Sequence, residues 1–275
     1  MTDLLELEAL VRRVPRGALL AVPPDHAGVA MAATRALLAA GVGELHLLAV
    51  PSSGLQADLM IGAGAVACIE AAGVALGEFG RAPRFSAAVS GGAVKVADST
   101  CPAIHAGLQA AEKGVPFMPL RGVIGSDLLR VREDWTVIDN PFAGAGQDPI
   151  LLVPAIRPEV TLFHAPKADR AGNVWIGRRR ELATMAHAAR ATLVTVERIV
   201  DDDLLADEAS AAGVLPALYV TALAEAPRGA WPLGLAEHYP ADADHLRHYA
   251  SLARTEDGFA RYLAEEVLAR RPSAA

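Results

Sequence analysis

The chain reads as an α/β protein: an open, parallel-rich sheet with helices on both faces and a helical C-terminal extension. Three observations point there. Strand-like and helix-like patterns alternate along most of the 275 residues, the order that yields parallel pairing covered on both faces. The strand-like runs, such as residues 45–50 and 160–164, are nearly continuous in apolar residues rather than alternating with polar ones, as strands buried on both faces require. Finally, 52% of the residues are hydrophobic but only 5% aromatic. Ala, Val and Leu must therefore fill the interior, which fits layered helices on a buried sheet and argues against disorder.

The elements follow in order. Apolar residues three and four apart predict a helix over residues 4–12,. Residues 17–22 read as a buried strand broken by Pro23-Pro24,. The Ala- and Leu-rich stretch 28–40 is helical and closed by Gly41 and Gly43,. Residues 45–50 form a second strand, stopping at Pro51-Ser52-Ser53-Gly54. A helix over 103–112 is stopped by Gly114, and a strand then runs to Arg121. Residues 150–153, 160–164 and 191–196 are further buried strands, and Asp169 to Asn173 reads as a tight turn between two strands,. From 242 to 271 the chain looks helical, with Tyr249, Leu252, Phe259, Tyr262 and Leu263 as packing residues. No repeat, linker or low-complexity tract divides it. One domain is expected over 1–275, with a core over about 10–240 and C-terminal helices over about 241–275,.

Composition excludes several classes. The net charge is −7, and Arg178-Arg179-Arg180 is the one basic cluster. That run opens a helical segment, so nucleic acid is not an expected partner. No apolar run approaches the ~20 residues of a membrane span. The acidic, amphipathic start is unlike a basic signal peptide, which predicts a cytoplasmic protein,. Cys68 and Cys101 lack metal-ligand spacing and read as reduced core residues; no metal is expected,. Gly62 and Gly64 lack the remainder of a dinucleotide fingerprint,.

In open α/β sheets the chemistry collects beyond the carboxyl ends of strands. Asp25 and His26 follow the first strand, where His26 could contact substrate and Asp25 could do so or cap a helix,. Ser52, Ser53 and Gly54 follow the second, where hydroxyls on a glycine loop could bond a carboxylate oxygen, or simply form a turn,. Asp98 precedes the helix that starts near Cys101 and could serve as a base or as a cap,. Arg121, Gly122 and Ser126 punctuate a further strand end. Arg121 offers a planar fork for a carboxylate or phosphate, with pairing to Asp127 or Asp139 as the structural alternative,.

The segments 115–128 and 153–175, within a likeness running from about residue 10 to about 253, resemble the large (α) subunit of class I coenzyme A transferases, the glutaconate CoA-transferase branch especially. The resemblance implies the fold that family shares with NagB/RpiA-like proteins. It also implies the α subunit of an αβ or α2β2 hetero-oligomer, working on a short acyl-CoA that is expected to be dicarboxylic. Coenzyme A thioester would be the substrate, with no permanently bound cofactor. In the family the thioester is attacked by a glutamate of the smaller β subunit. Glu78, in Glu78-Phe79-Gly80, superficially matches that glutamate's Glu-x-Gly setting but fits better a stretch of the α subunit that is not nucleophilic. No certain catalytic residue is therefore expected in this chain, with Glu78 and Asp98 as weak candidates. Ser52, Ser53, Gly54, Arg121, Gly122, Ser126 and His26 are the expected substrate contacts, Arg121 and backbone amides stabilising charge on the thioester oxygen. Two positions depart from the family. Pro23-Pro24 stand where glycines usually offer amides, and Trp231 replaces the histidine of a Gly-Ala-His-Pro segment. Those departures favour one alternative, an acyl-CoA decarboxylase or hydrolase on the same fold; the missing nucleophile and the altered first turn leave a second, a non-catalytic binding or scaffold subunit.

Overall fold

A computed structural model describes residues 2–144 and 147–269. Its strands are β1 (Asp3–Leu4), β2 (Leu19–Val22), β3 (Leu45–Ala49), β4 (Val66–Ala71), β5 (Lys95–Asp98), β6 (Phe117–Leu120), β7 (Thr136–Asp139) and β8 (Pro149–Pro154), followed by β9 (Val160–Ala165), β10 (Lys167–Asp169), β11 (Val174–Trp175), β12 (Ala191–Val196), β13 (Ile199–Val200), β14 (Val214–Leu215) and β15 (Ala222–Glu225). The helices are α1 (Leu7–Val11), α2 (Met31–Ala39), α3 (Leu55–Gly62), α4 (Pro83–Ser90), α5 (Cys101–Glu112), α6 (Leu128–Val131), α7 (Arg180–Ala188), α8 (Glu208–Ala211), α9 (Ala243–Leu252) and α10 (Glu256–Tyr262).

Eight strands form the main sheet in the order β1-β15-β12-β9-β2-β3-β4-β5, and every pairing in it is parallel. Successive side chains alternate between its faces. Leu20, Leu47, Leu162 and Leu193 join one core with Leu10, Leu37 and Met60 of α1, α2 and α3. Their neighbours Ala21, Leu48, Phe163 and Val194 join a second core with Leu108 of α5 and Leu182 and Met185 of α7. Full burial of each large aliphatic side chain contributes about 1.5–3 kcal/mol, so the unbroken apolar runs are what hold the sheet between its helix layers. The C-terminal helices form a third core. Tyr249, Phe259 and Tyr262 pack with Met31 of α2 and with Leu55 and Leu59 of α3, which brings α9 over the carboxyl ends of the strands.

The structure departs from the sequence-based expectations in three places. The first helix begins at Leu7, because Asp3 and Leu4 pair with Ala222 and Leu223; a partner some 220 residues away leaves no local periodicity. The run ending at Arg121 and the run at 150–153 are not in the parallel sheet. They are β6 and β8 of an antiparallel three-stranded sheet, β6-β8-β7. Pro119 lies inside β6 and lacks an N–H, a defect tolerated at the edge position that β6 occupies. Cys101 is exposed at the first turn of α5 rather than buried, and Cys68 is half-buried. The tight turn at 169–173 joins β10 to β11, with Gly172 at φ 96°. Among the described residues no helix is long and apolar enough to cross a membrane.

Candidate active site

A cavity of about 530 Å³ opens where β2, β3 and β4 end. Pro24, Asp25 and His26 follow β2, Ser52 to Leu55 follow β3, and Ala75 to Phe79 lie beyond β4. The roof is Leu233, Gly234, Ala236 and Tyr239 to Ala241, closed by Leu246 and Tyr249 of α9.

Asp25 ties two of these walls together. Its carboxylate oxygens accept the backbone N–H groups of Gly54 and Leu55, each at 3.1 Å. It therefore caps α3, a helix 30 residues downstream, and not the helix that follows it. A Cβ on Gly54 would lie 2.2 Å from Asp25 Oδ2 and 2.6 Å from the Ala75 carbonyl, so this approach requires glycine. Burial raises the Asp25 carboxyl above its ordinary value, against the pull of both amides and of His26. Because these amides at the start of α3 already hold a carboxylate, they are not free donors for a substrate oxygen.

Ser53 beside them is 4% exposed, and its hydroxyl has no hydrogen-bond partner among the described residues. Buried hydroxyls are normally satisfied. Ser53 lines the cavity while its hydroxyl oxygen is itself covered, so the fold leaves that oxygen unused unless the side chain turns toward a ligand. Ser52 and the exposed His26 and Glu78 complete the polar lining. Among the described lining residues there is no Lys or Arg.

A buried hub holds the roof. His164, at the end of β9, is 1% exposed. Its Nε2 lies 2.7 Å from Glu197 Oε1, and its Nδ1 lies 2.8 Å from the Thr195 hydroxyl. Glu197, just past β12, also accepts the Tyr239 hydroxyl and the Arg228 amide, both at 2.6 Å. The Ala230 amide donates to the Tyr239 oxygen at 3.1 Å. Burial pushes the Glu197 carboxyl up, but its donors together pull it further down, to about 2. Burial holds the imidazole of His164 below its ordinary value despite Glu197. The consistent arrangement is a neutral ring with Nε2–H donating to an ionised Glu197 and Nδ1 accepting from Thr195. Burial, followed by Glu197, raises the Tyr239 phenol. The backbone of His164 donates to the Gly28 carbonyl at 2.7 Å. Gly28 has φ 84°, and a Cβ there would meet the His164 carbonyl at 2.2 Å. One residue thus links the turn after β2 to the roof.

Of the candidates read from the sequence, His26, Ser52, Ser53, Gly54 and Glu78 come together around the cavity. Arg121, Gly122, Ser126 and Asp98 do not line it. Arg121 is exposed beside the small antiparallel sheet and pairs with Asp148 at 2.5 Å, not with Asp127 or Asp139. Ser126 donates to the Val123 carbonyl at 2.8 Å. Asp98 is exposed at the end of β5, where its carbonyl accepts Arg132 at 3.1 Å, and the cap of α5 is Thr100. The strand-end rule that singled out Arg121 does not apply to it, because β6 is antiparallel. Sequence reasoning missed Glu197 and the roles of Tyr239 and His164. The signal available was that the apolar runs of β9 and β12 both end on polar residues.

A family model described as Coenzyme A transferase matches residues 6–226. The A subunit of the 3-oxoadipate CoA-transferase of Pseudomonas knackmussii is 32% identical over 275 aligned residues, covering 97% of this chain and 94% of that protein. A match to a longer Archaeoglobus fulgidus protein, also 32% identical, covers 76% of this chain and spans only 46% of that protein. Among solved structures, glutaconate coenzyme A-transferase from Acidaminococcus fermentans superposes with TM-score 0.89 at 25% identity, covering 98% of this chain and 90% of that one. The decarboxylase AibA/AibB superposes with TM-score 0.81 at 29% identity, covering 96% and 99%. With the family model spanning most of its length and a relative matched almost end to end, the chain belongs to the coenzyme A transferase family of enzymes.

Proposed function

We propose that this chain is the A-type component of a heteromeric CoA-transferase, and that its cavity holds the acyl end of a short acyl-CoA. The observation that carries the reading is Ser53: a buried, unsatisfied hydroxyl on the wall of a largely apolar cavity at the ends of three parallel strands. Turned into the cavity, the Ser53 hydroxyl donates to the thioester or carboxylate oxygen. This takes over the part expected of Arg121 and of free backbone amides, since Asp25 holds the amides of Gly54 and Leu55. Relatives named as one component of a multi-subunit CoA-transferase support a partner chain. That partner brings the glutamate whose carboxylate oxygen attacks the thioester carbon and expels CoA thiolate. The thiolate then attacks the resulting anhydride, leaving CoA on the glutamate and releasing the free acid. The neutral His164 and ionised Glu197 hold the roof against Tyr239 while this exchange proceeds.

The similarity to a decarboxylase favours one second reading, in which the same cavity works on a single substrate without an acceptor acid. In that case Glu78 and His26, both exposed at the cavity, are the groups placed to handle a proton,. The two readings separate on the complex isolated from its native host through a tag on this chain. Transfer requires acetate or another acceptor acid before acyl-CoA is consumed. Carbon dioxide release from a glutaconyl-type CoA ester without acceptor would replace the first reading with the second.

A further inference from the structure

A second cavity, of about 440 Å³, adjoins the first across Glu78 and Phe79, which line both. Its other lining residues are Arg247, Ala250, Ser251 and Arg254. Arg247 and Ser251, four residues apart, share one face of α9, and Arg254 follows in the turn just past the helix end,. The opposite face of α9 is buried through Leu246 and Tyr249 in the core that closes the first cavity. α9 and the turn that ends it therefore carry an apolar wall for the first cavity and a basic wall for the second.

Neither arginine is committed to the fold. Arg254 is exposed and has no hydrogen-bond or ion-pair partner among the described residues. Arg247 is 62% exposed and, among the described residues, pairs with the exposed Asp244 three residues earlier, an arrangement that competes weakly with a ligand. In a chain of net charge −7, two arginines and a hydroxyl facing one groove, with Glu78 as its one acidic lining residue, form a local reversal of sign. Guanidinium groups match phosphate oxygens through paired N–H donors.

We propose that this groove binds the phosphate groups of the CoA thioester whose acyl end lies in the first cavity, with Arg247, Ser251 and Arg254 donating to phosphate oxygens. The proposal rests on the acyl-CoA reading of the first cavity. It places the phosphates at the arginine end of the groove, away from Glu78, while the flexible arm of the thioester crosses the Glu78–Phe79 lip.

The test uses the complex isolated through a tag on this chain, with butyryl-CoA and S-butyryl-pantetheine as probes in calorimetry. Arg254→Ala should weaken butyryl-CoA roughly tenfold, the loss of one charge-assisted contact, and Arg247→Ala added to it should weaken binding further. Butyryl-pantetheine, which lacks the nucleotide phosphates, should bind both variants as it binds the parent, and the melting temperature should not move. Equal losses for the two probes, or no loss for either, overturn the proposal. A loss confined to thioesters with a second carboxylate, read with S-glutaryl-pantetheine, also overturns it and gives the arginines to the acyl tail. If the unmodified complex binds neither butyryl probe, the reading of the first cavity fails and the inference falls with it.

Discussion

Two largely buried carboxylates stand at similar places, near strand ends, and do different work. Glu70, in β4, is 7% exposed and meets Arg132 Nη1 at 2.8 Å. Arg132 is 8% exposed, holds Asp134 through two further bonds of 2.8 Å and lies 4.5 Å over the Trp135 ring. Glu197 instead collects uncharged donors: the Tyr239 hydroxyl, the Arg228 amide and a neutral His164. The first cluster is an ion pair that fastens the small antiparallel sheet to the main one. The second is a hydrogen-bonded clamp on the roof of the cavity. Burial alone therefore does not mark a functional carboxylate; what the carboxylate holds in place does.

The sharpest break in that comparison comes from Arg132→Ala. It leaves Glu70 buried without its partner, which costs about 3–5 kcal/mol. Urea unfolding should register that loss, while the soluble fraction keeps its affinity for acyl-CoA. Loss of affinity in proportion to stability would mean the small sheet belongs to the site.

Glu197→Gln keeps the shape but replaces an acceptor of three donors with an amide, a change of about 1–3 kcal/mol. Here affinity for acyl-CoA should fall along with stability. The pH dependence has a definite sign. The Glu197 carboxyl is depressed from 4.5 to about 2, so its contribution is complete above pH 4.5 and fades as pH falls toward 2. His164 is also depressed, from 6.5, so the stability from its neutral form is present above 6.5 and weakens as the solution is acidified. Both effects loosen the hub in acid. The variant should lose less stability between pH 6 and 3 than the parent, and equal losses would remove Glu197 from the acid transition.

Ser53→Ala inverts the pattern. Removing a buried hydroxyl with no partner should leave stability unchanged or raise it by up to about 1 kcal/mol. Turnover should drop about a hundred- to a thousandfold, with one donor to the reacting oxygen lost. Unaltered kcat/KM would make Ser53 an incidental part of the turn. The smallest effect is expected at Arg121→Ala. Its exposed pairing with Asp148 lies away from the cavity, so neither melting temperature nor turnover should change appreciably.

The fold was largely legible because the unbroken apolar strands and their glycine stops are local signals. The wall residues at 52–54 were legible for the same reason: they stand directly after a strand that is in the parallel sheet. Arg121 misled because its strand looks the same in one dimension, and only pairing partners distinguish parallel from antiparallel. Asp25 read as a cap, correctly in kind, but the helix it caps lies 30 residues on, beyond any capping motif. The meeting of Glu197 and Tyr239 was invisible because it joins segments 42 residues apart through a roof with little regular structure. Arg247 and Arg254 were passed over because 242–271 was read for the residues that pack and fix its helices.

The central claim is that this chain supplies the acyl wall while a partner supplies the attacking carboxylate. The direct measurement is to incubate the isolated complex with acyl-CoA, trap the enzyme-bound thioester with borohydride, and locate the modified residue by peptide mass mapping. The expected result is a reduced glutamate in the partner chain and none in this one. Modification of Glu78, or sustained turnover by this chain purified alone, would contradict the account.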